Sequence, residues 1–180
     1  MKKITEMENG YLFGLFEGDG YKIYDRRGGH YTVEFYLNSV RDKKIIGFLV
    51  ILLKKLGLNP NLYQDKRFKC KRIRIYSKKL FSVIQKKISL EDKSKGFNIG
   101  FISGLIDSEG YIHNKKSYIM VVNTNKVILN DCKKFLGSIG INSSINKRKP
   151  SKYEVLDSYR MYISVSFKRL NHLSVKVRNL

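Results

Sequence analysis

One segment near the beginning of the chain recurs halfway along it. Residues 11–21, YLFGLFEGDGY, correspond to residues 101–111, FISGLIDSEGY, at an offset of 90 residues in a chain of 180. Both copies contain Gly-Leu, an apolar residue, two acids separated by a small residue, and Gly-Tyr. Internal repetition on this scale predicts two copies of one structural unit that together bury a shared core.

The segments behind the two copies also correspond in type and order. Runs rich in β-branched and aromatic residues predict strands, and apolar runs that end in Leu-Gly predict helices. The predicted ranges are Tyr31–Asn38, Arg41–Leu56, Asn61–Arg67 and Lys71–Tyr76 in the first half and Tyr118–Asn123, Lys126–Ile139, Asn142–Arg148 and Arg160–Ser166 in the second, with final helices from Lys79 and Arg169. This order predicts an α+β fold of two pseudo-symmetric αββαββα repeats, at residues 1–90 and 97–180, joined by a linker at 91–96.

The chain is strongly basic, with 36 lysines and arginines against 15 aspartates and glutamates and a net charge of +21. Its hydrophobic content of 42% is enough for a core, which excludes a chain disordered for lack of apolar residues. Folded proteins with this charge typically bind DNA or RNA, and charge alone leaves a passive RNA-binding protein open. The longest apolar run, Ile45–Leu53, is about half of the roughly 20 residues that a transmembrane helix needs, so no membrane partner is expected.

The last predicted strand of each half alternates between apolar and polar residues. In the first half, Ile73 and Ile75 face one way, whereas Arg72, Arg74 and Tyr76 face the other. A basic, aromatic sheet face suits contacts with bases and phosphates, and a solvated outer face is the alternative. The predicted DNA contacts are the polar residues of these strands, Tyr36 and basic residues near turns: Arg26, Arg27, Tyr36, Lys66, Arg67, Arg72, Arg74, Tyr76, Lys147, Arg148, Arg160, Tyr162 and Ser164.

Small residues recur at every fourth position of both motif segments. This spacing places residues on one face of a helix, although each glycine costs helix stability by about 1 kcal/mol relative to alanine. Faces without side chains let two helix backbones approach closely. We therefore predict that the two motif helices pack against each other through these faces, about a pseudo-twofold axis. The small residues are Gly10, Gly14 and Gly18 in the first segment and Gly100, Gly104 and Ser108 in the second.

One acid ends each motif helix, Asp19 in the first and Glu109 in the second. A carboxylate is disfavoured at a helix C-terminus, and two that are brought together also repel each other. A divalent cation such as Mg²⁺ removes both penalties, because it binds carboxylate and carbonyl oxygens. We therefore predict that Asp19 and Glu109 are catalytic metal ligands for phosphodiester hydrolysis. The other two acids, Glu17 and Asp107, are interpreted as structural residues that cap a helix or bond to nearby backbone.

Two further pairs occupy matching positions in the two halves. Lys78 and Lys168 each stand two residues before a leucine of the final helix, and Asn38 and Asn123 end the second predicted strand. Such groups order an attacking water or stabilise the charged phosphorane, so we predict catalytic roles for all four. For each lysine, a solvated surface position is the alternative.

The motif segments resemble a known family. Residues 12–20, LFGLFEGDG, and 102–110, ISGLIDSEG, resemble the LAGLIDADG motif of homing endonucleases. Two copies about 90 residues apart resemble the single-chain members, many of them encoded in archaeal introns, and the repeat extends the resemblance over essentially the whole chain. Phe13 and Ser103 replace the motif's alanine, Glu17 replaces its first acid in the first copy, and Glu109 replaces its last acid in the second copy. The longer reach of glutamate leads us to expect unequal cleavage rates at the two strands.

The resemblance implies a saddle of two antiparallel four-stranded sheets over DNA, with cleavage of both strands across the minor groove and short 3′ overhangs. It also implies that the last acids, Asp19 and Glu109, bind metal together with backbone oxygens of Gly18 and Ser108. Mg²⁺ is the expected cofactor, with Mn²⁺ as an alternative and Ca²⁺ as a substitute that does not support cleavage. The asparagine and lysine pairs map by position to the water network.

These implications predict a free-standing, monomeric, intron-encoded enzyme that cuts double-stranded DNA at a long pseudo-palindromic or asymmetric target. We expect it in the cytoplasm of a prokaryote or in an organelle. Two alternatives on the same scaffold are an RNA maturase, with intron RNA as its partner, and a catalytically silent DNA-binding regulator.

Overall fold

In the computed structural model, the described residues of the first half form three helices and a four-stranded sheet. Its elements are α1 Glu6–Asp19, β1 Gly20–Asp25, β2 His30–Asn38, α2 Lys43–Lys55, β3 Asn61–Asp65, β4 Cys70–Tyr76 and α3 Lys78–Gln85. The residues that the structure describes are 4–65, 68–86, 88–113, 118–148, 157–169 and 174–178.

The second half repeats this order up to its last strand. Its elements are α4 Lys95–Glu109, β5 Gly110–His113, β6 Tyr118–Asn123, α5 Lys126–Ser138, β7 Ser143–Arg148, β8 Ser158–Ser164, a 3₁₀ helix Val165–Arg169 and α6 Val175–Arg178. All strand pairs are antiparallel, in the orders β1-β2-β4-β3 and β5-β6-β8-β7. The predicted α+β fold of two pseudo-symmetric repeats is confirmed.

The pairing register shows which residues of the two sheets are equivalent. Gly20, directly after the first motif helix, pairs with Phe35, whereas Gly110 pairs with Val121. The separation within the pair is 35 − 20 = 15 residues in the first hairpin and 121 − 110 = 11 in the second. The second hairpin is therefore four residues shorter, and the offset between equivalent positions falls from 90 in β1 and β5 to 86 in β2 and β6.

Each sheet is apolar on one face. The side chains that line this face are almost fully buried, namely Val33, Phe35, Ile73 and Ile75 in the first sheet and Ile119, Val121, Met161 and Ile163 in the second. Helices cover these faces, and their side chains join one continuous core with the motif helices. Within the described residues, no helix combines the length and the hydrophobicity that crossing a bilayer requires.

The two motif helices, α1 and α4, lie side by side with their small residues at the contact. A Cβ atom added at Gly14 would lie 1.9 Å from the Phe101 carbonyl oxygen, and one added at Gly100 would lie 1.9 Å from that of Met7. Added Cβ atoms would meet backbone equally closely at Gly10 and Gly104. All four clashes are with backbone atoms, which cannot rotate away as a flexible side chain does. The predicted packing of the motif helices is confirmed.

The second half ends differently from the prediction. We expected an α-helix from Arg169, but that residue ends the 3₁₀ helix in which Phe167 is buried. The rest of the predicted helix, residues 170–173, lies outside the described residues. In α6, which follows, the backbone N–H groups of Val175, at 2.8 Å, and Lys176, at 3.0 Å, donate hydrogen bonds to the Asp107 carboxylate. The first turn of α6 is thus bonded to an acid that is distant in sequence.

The predicted linker partly overlaps the second motif helix. α4 begins at Lys95, directly after its N-cap Ser94, whose hydroxyl accepts a hydrogen bond from the Phe97 N–H. The last two residues of the predicted linker 91–96 are therefore helical. The division of the chain at this segment stays a prediction.

Candidate functional site

The motif helices end beside each other. A Cβ atom added at Gly18 would lie 2.5 Å from the Cβ of Ser108 and 2.7 Å from the Cγ of Glu109. Each helix stops at the next glycine, where the backbone becomes extended and the glycine N–H donates to a carbonyl of the last turn. The acid that precedes each glycine, Asp19 or Glu109, is therefore carried at the shared end of the helix pair.

Both terminal carboxylates are poorly compensated. Burial raises the pKa of Asp19 to about 7, and repulsion from Glu109 and Asp42 adds to this effect. Burial also raises the pKa of Glu109, whereas the positive charge of Lys176 acts in the opposite direction on both groups. Desolvated carboxylates that repel each other form a place where added positive charge is stabilising.

A divalent cation matches this set of donors. Carboxylates of Asp19 and Glu109 and backbone carbonyls at the helix ends, including those of Gly18 and Ser108, are hard oxygen ligands of the kind that Mg²⁺ prefers. Among the described residues, no three His, Cys, Asp or Glu side chains cluster as a metal site. A bound cation would therefore rest on two carboxylates, carbonyl oxygens and water.

Lys176 is the lysine that the structure brings to the carboxylates, and the sequence analysis missed it. Its ammonium donates to the Gly110 carbonyl oxygen at 2.9 Å and to that of Ser108 at 3.4 Å. Its charge partly offsets the rise that burial causes in the pKa of Asp19 and of Glu109. The residue lies 66 positions from Gly110 in the chain, and no local pattern around it indicates this contact.

Asp107 holds Lys176 in place. Its almost fully buried carboxylate accepts hydrogen bonds from the Tyr11 hydroxyl at 2.7 Å and the Ser174 hydroxyl at 2.6 Å, in addition to the two backbone N–H groups of α6. This is a structural role, as predicted, although the backbone partners are distant in sequence and not nearby. Glu17, interpreted in the same way, accepts a hydrogen bond from the Asn125 side-chain amide at 2.8 Å.

A pocket of about 330 Å³ opens beside the end of α4. Glu109, Asn123, Arg148 and Ser158 line it together with Gly18. The Ser158 hydroxyl is buried and has no hydrogen-bond partner among the described residues. The structure thus brings two of the predicted residues, Asn123 and Arg148, to the second terminal carboxylate.

Asn38 lies near Asp42, in the turn that follows β2. The carboxamide oxygen of Asn38 accepts hydrogen bonds from two backbone N–H groups of that turn. The backbone N–H of Asn38 donates to the Asp42 carboxylate at 2.9 Å. The register makes Asn38 equivalent to Thr124, because 38 + 86 = 124. The predicted match of Asn38 with Asn123 is therefore wrong by one residue, which places the two side chains on opposite faces of their sheets.

The structure does not bring Lys78 to the carboxylates. Its ammonium lies 5.5 Å from the centroid of the Tyr31 ring. Tyr31 is four residues along β2 from Phe35, the partner of Gly20, a separation of about 13 Å. Lys168 is exposed in the 3₁₀ helix that follows the corresponding end of β8. Lys78 and Lys168 follow β4 and β8, and both strands run away from the ends of the motif helices. A residue that follows either strand is therefore far from the two carboxylates.

Most of the predicted DNA contacts lie on the polar faces of the sheets. Arg72, Arg74, Tyr76 and Tyr36 share the face of the first sheet opposite its buried isoleucines. The others lie in the exposed β1–β2 turn (Arg26, Arg27), on β8 (Arg160, Tyr162, Ser164) and on β7 (Lys147, Arg148). Lys66 and Arg67 lie outside the described residues. Sequence reasoning missed Glu34, a buried acid among the arginines of the first sheet.

The raised pKa of Asp19 predicts how metal-free stability depends on pH. The pKa of Asp19 is about 7 in the folded protein and 3.8 ordinarily, so folding favours the protonated carboxyl group. The contribution of Asp19 to the free energy of unfolding is therefore complete below pH 4 and is lost as the pH rises through 7. The free energy of unfolding is measured in urea with a chelator present. As the pH rises from 5 to 8, it is expected to fall less for Asp19→Asn than for wild type. Mg²⁺ is expected to raise the unfolding free energy of wild type at pH 8 and not that of Asp19→Asn. Equal responses of the two proteins would contradict this account of the site.

A family model described as the LAGLIDADG-like domain matches the chain twice, over residues 6–89 and 96–172. Two uncharacterized proteins of Methanocaldococcus jannaschii are similar in sequence. MJ0398 is 26% identical over 178 residues, which cover 96% of this chain and 64% of that protein. MJ0314 is 26% identical over 160 residues, which cover 80% of this chain and 59% of that protein. The chain thus spans less than two thirds of the length of either relative.

Solved structures of the homing endonuclease I-DmoI have the same architecture. A structure of its mesophilic variants gives a TM-score of 0.74 at 22% identity and covers 97% of this chain and 96% of that one, and its complex with DNA and Ca gives the same values. Full-length DUF199/WhiA from Thermotoga maritima gives a TM-score of 0.67 at 18% identity, over 97% of this chain and 58% of that one. At these identities, the likeness shows a common fold.

Proposed function

The chain belongs to the LAGLIDADG-like domain family, and on that basis we propose that it is a site-specific endonuclease that hydrolyses both strands of double-stranded DNA with a divalent cation. One observation carries the proposal: paired helices bring one carboxylate each, from Asp19 and Glu109, to adjacent helix ends. In a DNA-binding protein without catalytic activity, two acids at this place would only be destabilising, because burial and mutual repulsion disfavour their charged forms.

Solved complexes of I-DmoI support the choice of partner and cofactor. They are complexes of that enzyme with DNA and Ca and with DNA and Mn, and of its G20S variant with target DNA in the presence of Mg. We propose Mg²⁺ for this chain, with Mn²⁺ as an active alternative and Ca²⁺ as a substitute for binding without cleavage. The carboxylates of Asp19 and Glu109 and the carbonyl oxygens of Gly18 and Ser108 would hold the cation. A cation there would supply Lewis acidity and lower the pKa of water.

Other residues of the site contribute charge and hydrogen bonds. Lys176 holds an ammonium at the end of α4, where it favours the approach of a phosphate between two acids. The Asn123 carboxamide and the buried Ser158 hydroxyl line the pocket beside Glu109 and are placed to hold a water by hydrogen bonds. Asp107 positions Lys176 without facing the substrate.

The proposed mode of action follows from the same arrangement. Since a single chain supplies both acids and both sheets, we propose that the protein acts as a monomer on a long target whose two halves are read by different sheets. We further propose short 3′ overhangs and a role in intron homing. Affinity for any DNA is expected to fall steeply with salt, because the basic faces neutralise many phosphates.

The experiment uses the DNA that flanks the gene's own insertion point, joined without the insertion, as a plasmid substrate. We expect linear product in Mg²⁺ at this sequence, no product when a chelator is added, and no product from the interrupted sequence. Uncut plasmid under all these conditions would contradict the proposal. Tight binding of the intron RNA with no DNA cleavage would instead support the maturase, and DNA binding with no cleavage would support the silent regulator.

A further inference from the structure

A buried acid lies on the polar face of the first sheet, among residues predicted to contact DNA. Glu34, on β2, is only 3% exposed, and it accepts hydrogen bonds from the Arg74 Nε and the Tyr36 hydroxyl. The Arg72 Nε lies 3.9 Å from the same carboxylate. A carboxylate weakens the attraction of a basic surface for phosphate. Glu34 therefore does not serve general affinity for DNA and must have another role on this face.

The surrounding groups fix the guanidinium of Arg74. Besides its bond to Glu34, Arg74 donates from Nη1 to the Tyr76 hydroxyl at 3.2 Å. Its guanidinium carbon lies 5.4 Å from the centroid of the Tyr63 ring, and that of Arg72 lies 4.9 Å from the same centroid. An arginine held on several sides loses less conformational entropy when it binds a base. The cluster therefore preorganises Arg74.

The second sheet carries different chemistry at the equivalent positions. Glu34 pairs with Arg74 across β2 and β4, and the equivalent pair across β6 and β8 is Met120 with Tyr162. Val122 stands in the place of Tyr36. Met120 and Tyr162 thus replace Glu34 and Arg74, whereas Arg160, which pairs with Val122, keeps an arginine in the place of Arg72.

We infer that Glu34 positions Arg74 as a base-reading residue of the first sheet and that Met120 and Tyr162 give the second sheet a different base preference, an inference that rests on the proposed recognition of DNA. Arg74, positioned by Glu34, recognises guanine in the half-site under the first sheet, because a fixed guanidinium donates two hydrogen bonds to guanine O6 and N7 in the major groove. Met120 and Tyr162 pack against the methyl group of thymine in the other half-site. Glu34 acts as a positioning residue for specificity and does not contact the base itself.

The test selects binders from a pool of DNA duplexes with a randomised central segment, in Ca²⁺, and sequences them. For wild type we expect guanine at a position in one arm and thymine in the other. Arg74→Lys keeps the charge, and we expect it to lower the guanine preference about tenfold or more while the thymine preference stays. Glu34→Gln is expected to act in the same direction, and Met120→Gln to lower only the thymine preference. Arg169→Lys, at an exposed position of the 3₁₀ helix, is the matched control.

The outcomes separate this inference from the proposed function. A pool that does not enrich, or a guanine preference that is unchanged in Arg74→Lys, overturns the inference. If Glu34→Gln does not fold, Arg74→Lys still decides the matter, because it alters the base-reading group itself. Selection requires no cleavage, so an inactive protein with the expected preferences would contradict the endonuclease proposal and leave the inference standing.

Discussion

Asp19→Asn and Glu109→Gln are each expected to lower double-strand cleavage in Mg²⁺ by at least about a thousandfold, while the affinity for DNA in Ca²⁺ changes little. Each substitution keeps the size of the side chain and removes one of the two negative charges that would hold the cation. Charge stabilisation by a catalytic metal contributes several kcal/mol, which corresponds to this change in rate. End-labelled substrates in single-turnover reactions measure both strands separately.

The matched control for these variants is Glu91→Gln. Glu91 is an exposed acid, it pairs only with Lys134 on the surface in the described part of the chain, and its removal is expected to leave cleavage unchanged. Cleavage at the wild-type rate by both Asp19→Asn and Glu109→Gln would refute the assignment of the two acids. A loss of cleavage with equal loss of DNA affinity would point to misfolding, which circular dichroism and urea unfolding detect.

The second large effect concerns stability, and it is expected for Gly14→Ala. The new methyl group would lie 1.9 Å from the Phe101 carbonyl oxygen and 2.9 Å from the Leu105 backbone nitrogen, both on the facing motif helix. Because backbone atoms block the space, the helices must separate, and overpacking of this kind costs about 3 kcal/mol or more. The free energy of unfolding in urea measures the loss.

Gly47→Ala provides the control within the same chain. Gly47 lies inside the exposed part of α2, and an added Cβ atom would have nothing within 4 Å. Alanine there is expected to stabilise the protein by up to about 1 kcal/mol, because glycine is the poorer helix former. If both variants gained stability equally, the close contact of the motif helices would be wrong.

The sequence predicts those features that depend on local patterns and on the repeat. The four-residue spacing of small side chains predicts the helix pair, and the family match confirms the resemblance of the motif segments. Alternation along β4 places Arg72 and Arg74 opposite the buried Ile73, as expected. These properties follow from the helical and strand periods, which a single sequence displays directly.

The sequence does not predict features set by contacts between distant segments. The β5–β6 hairpin is shorter than the β1–β2 hairpin, which changes the residues that are equivalent between the two sheets. A comparison of the strand ends in the sequence therefore matches Asn38 with the wrong residue. Lys176 reaches the helix end because Asp107 fixes its backbone, and Glu34 is buried because two arginines and a tyrosine surround it. Neither side chain carries a local signal of its partners.

The four hydrogen bonds to Asp107 also limit how the two halves can be exchanged. The acid sits in the second motif helix, its phenol partner Tyr11 in the first, and its remaining partners near residue 175. A chimera that grafts one half of this chain onto a half from a relative would keep this network only if the donor offers a hydroxyl at the place of Tyr11. Where it does not, the buried Asp107 carboxylate loses one of its hydrogen-bond donors, which destabilises the chimera in a way that affects neither parent protein.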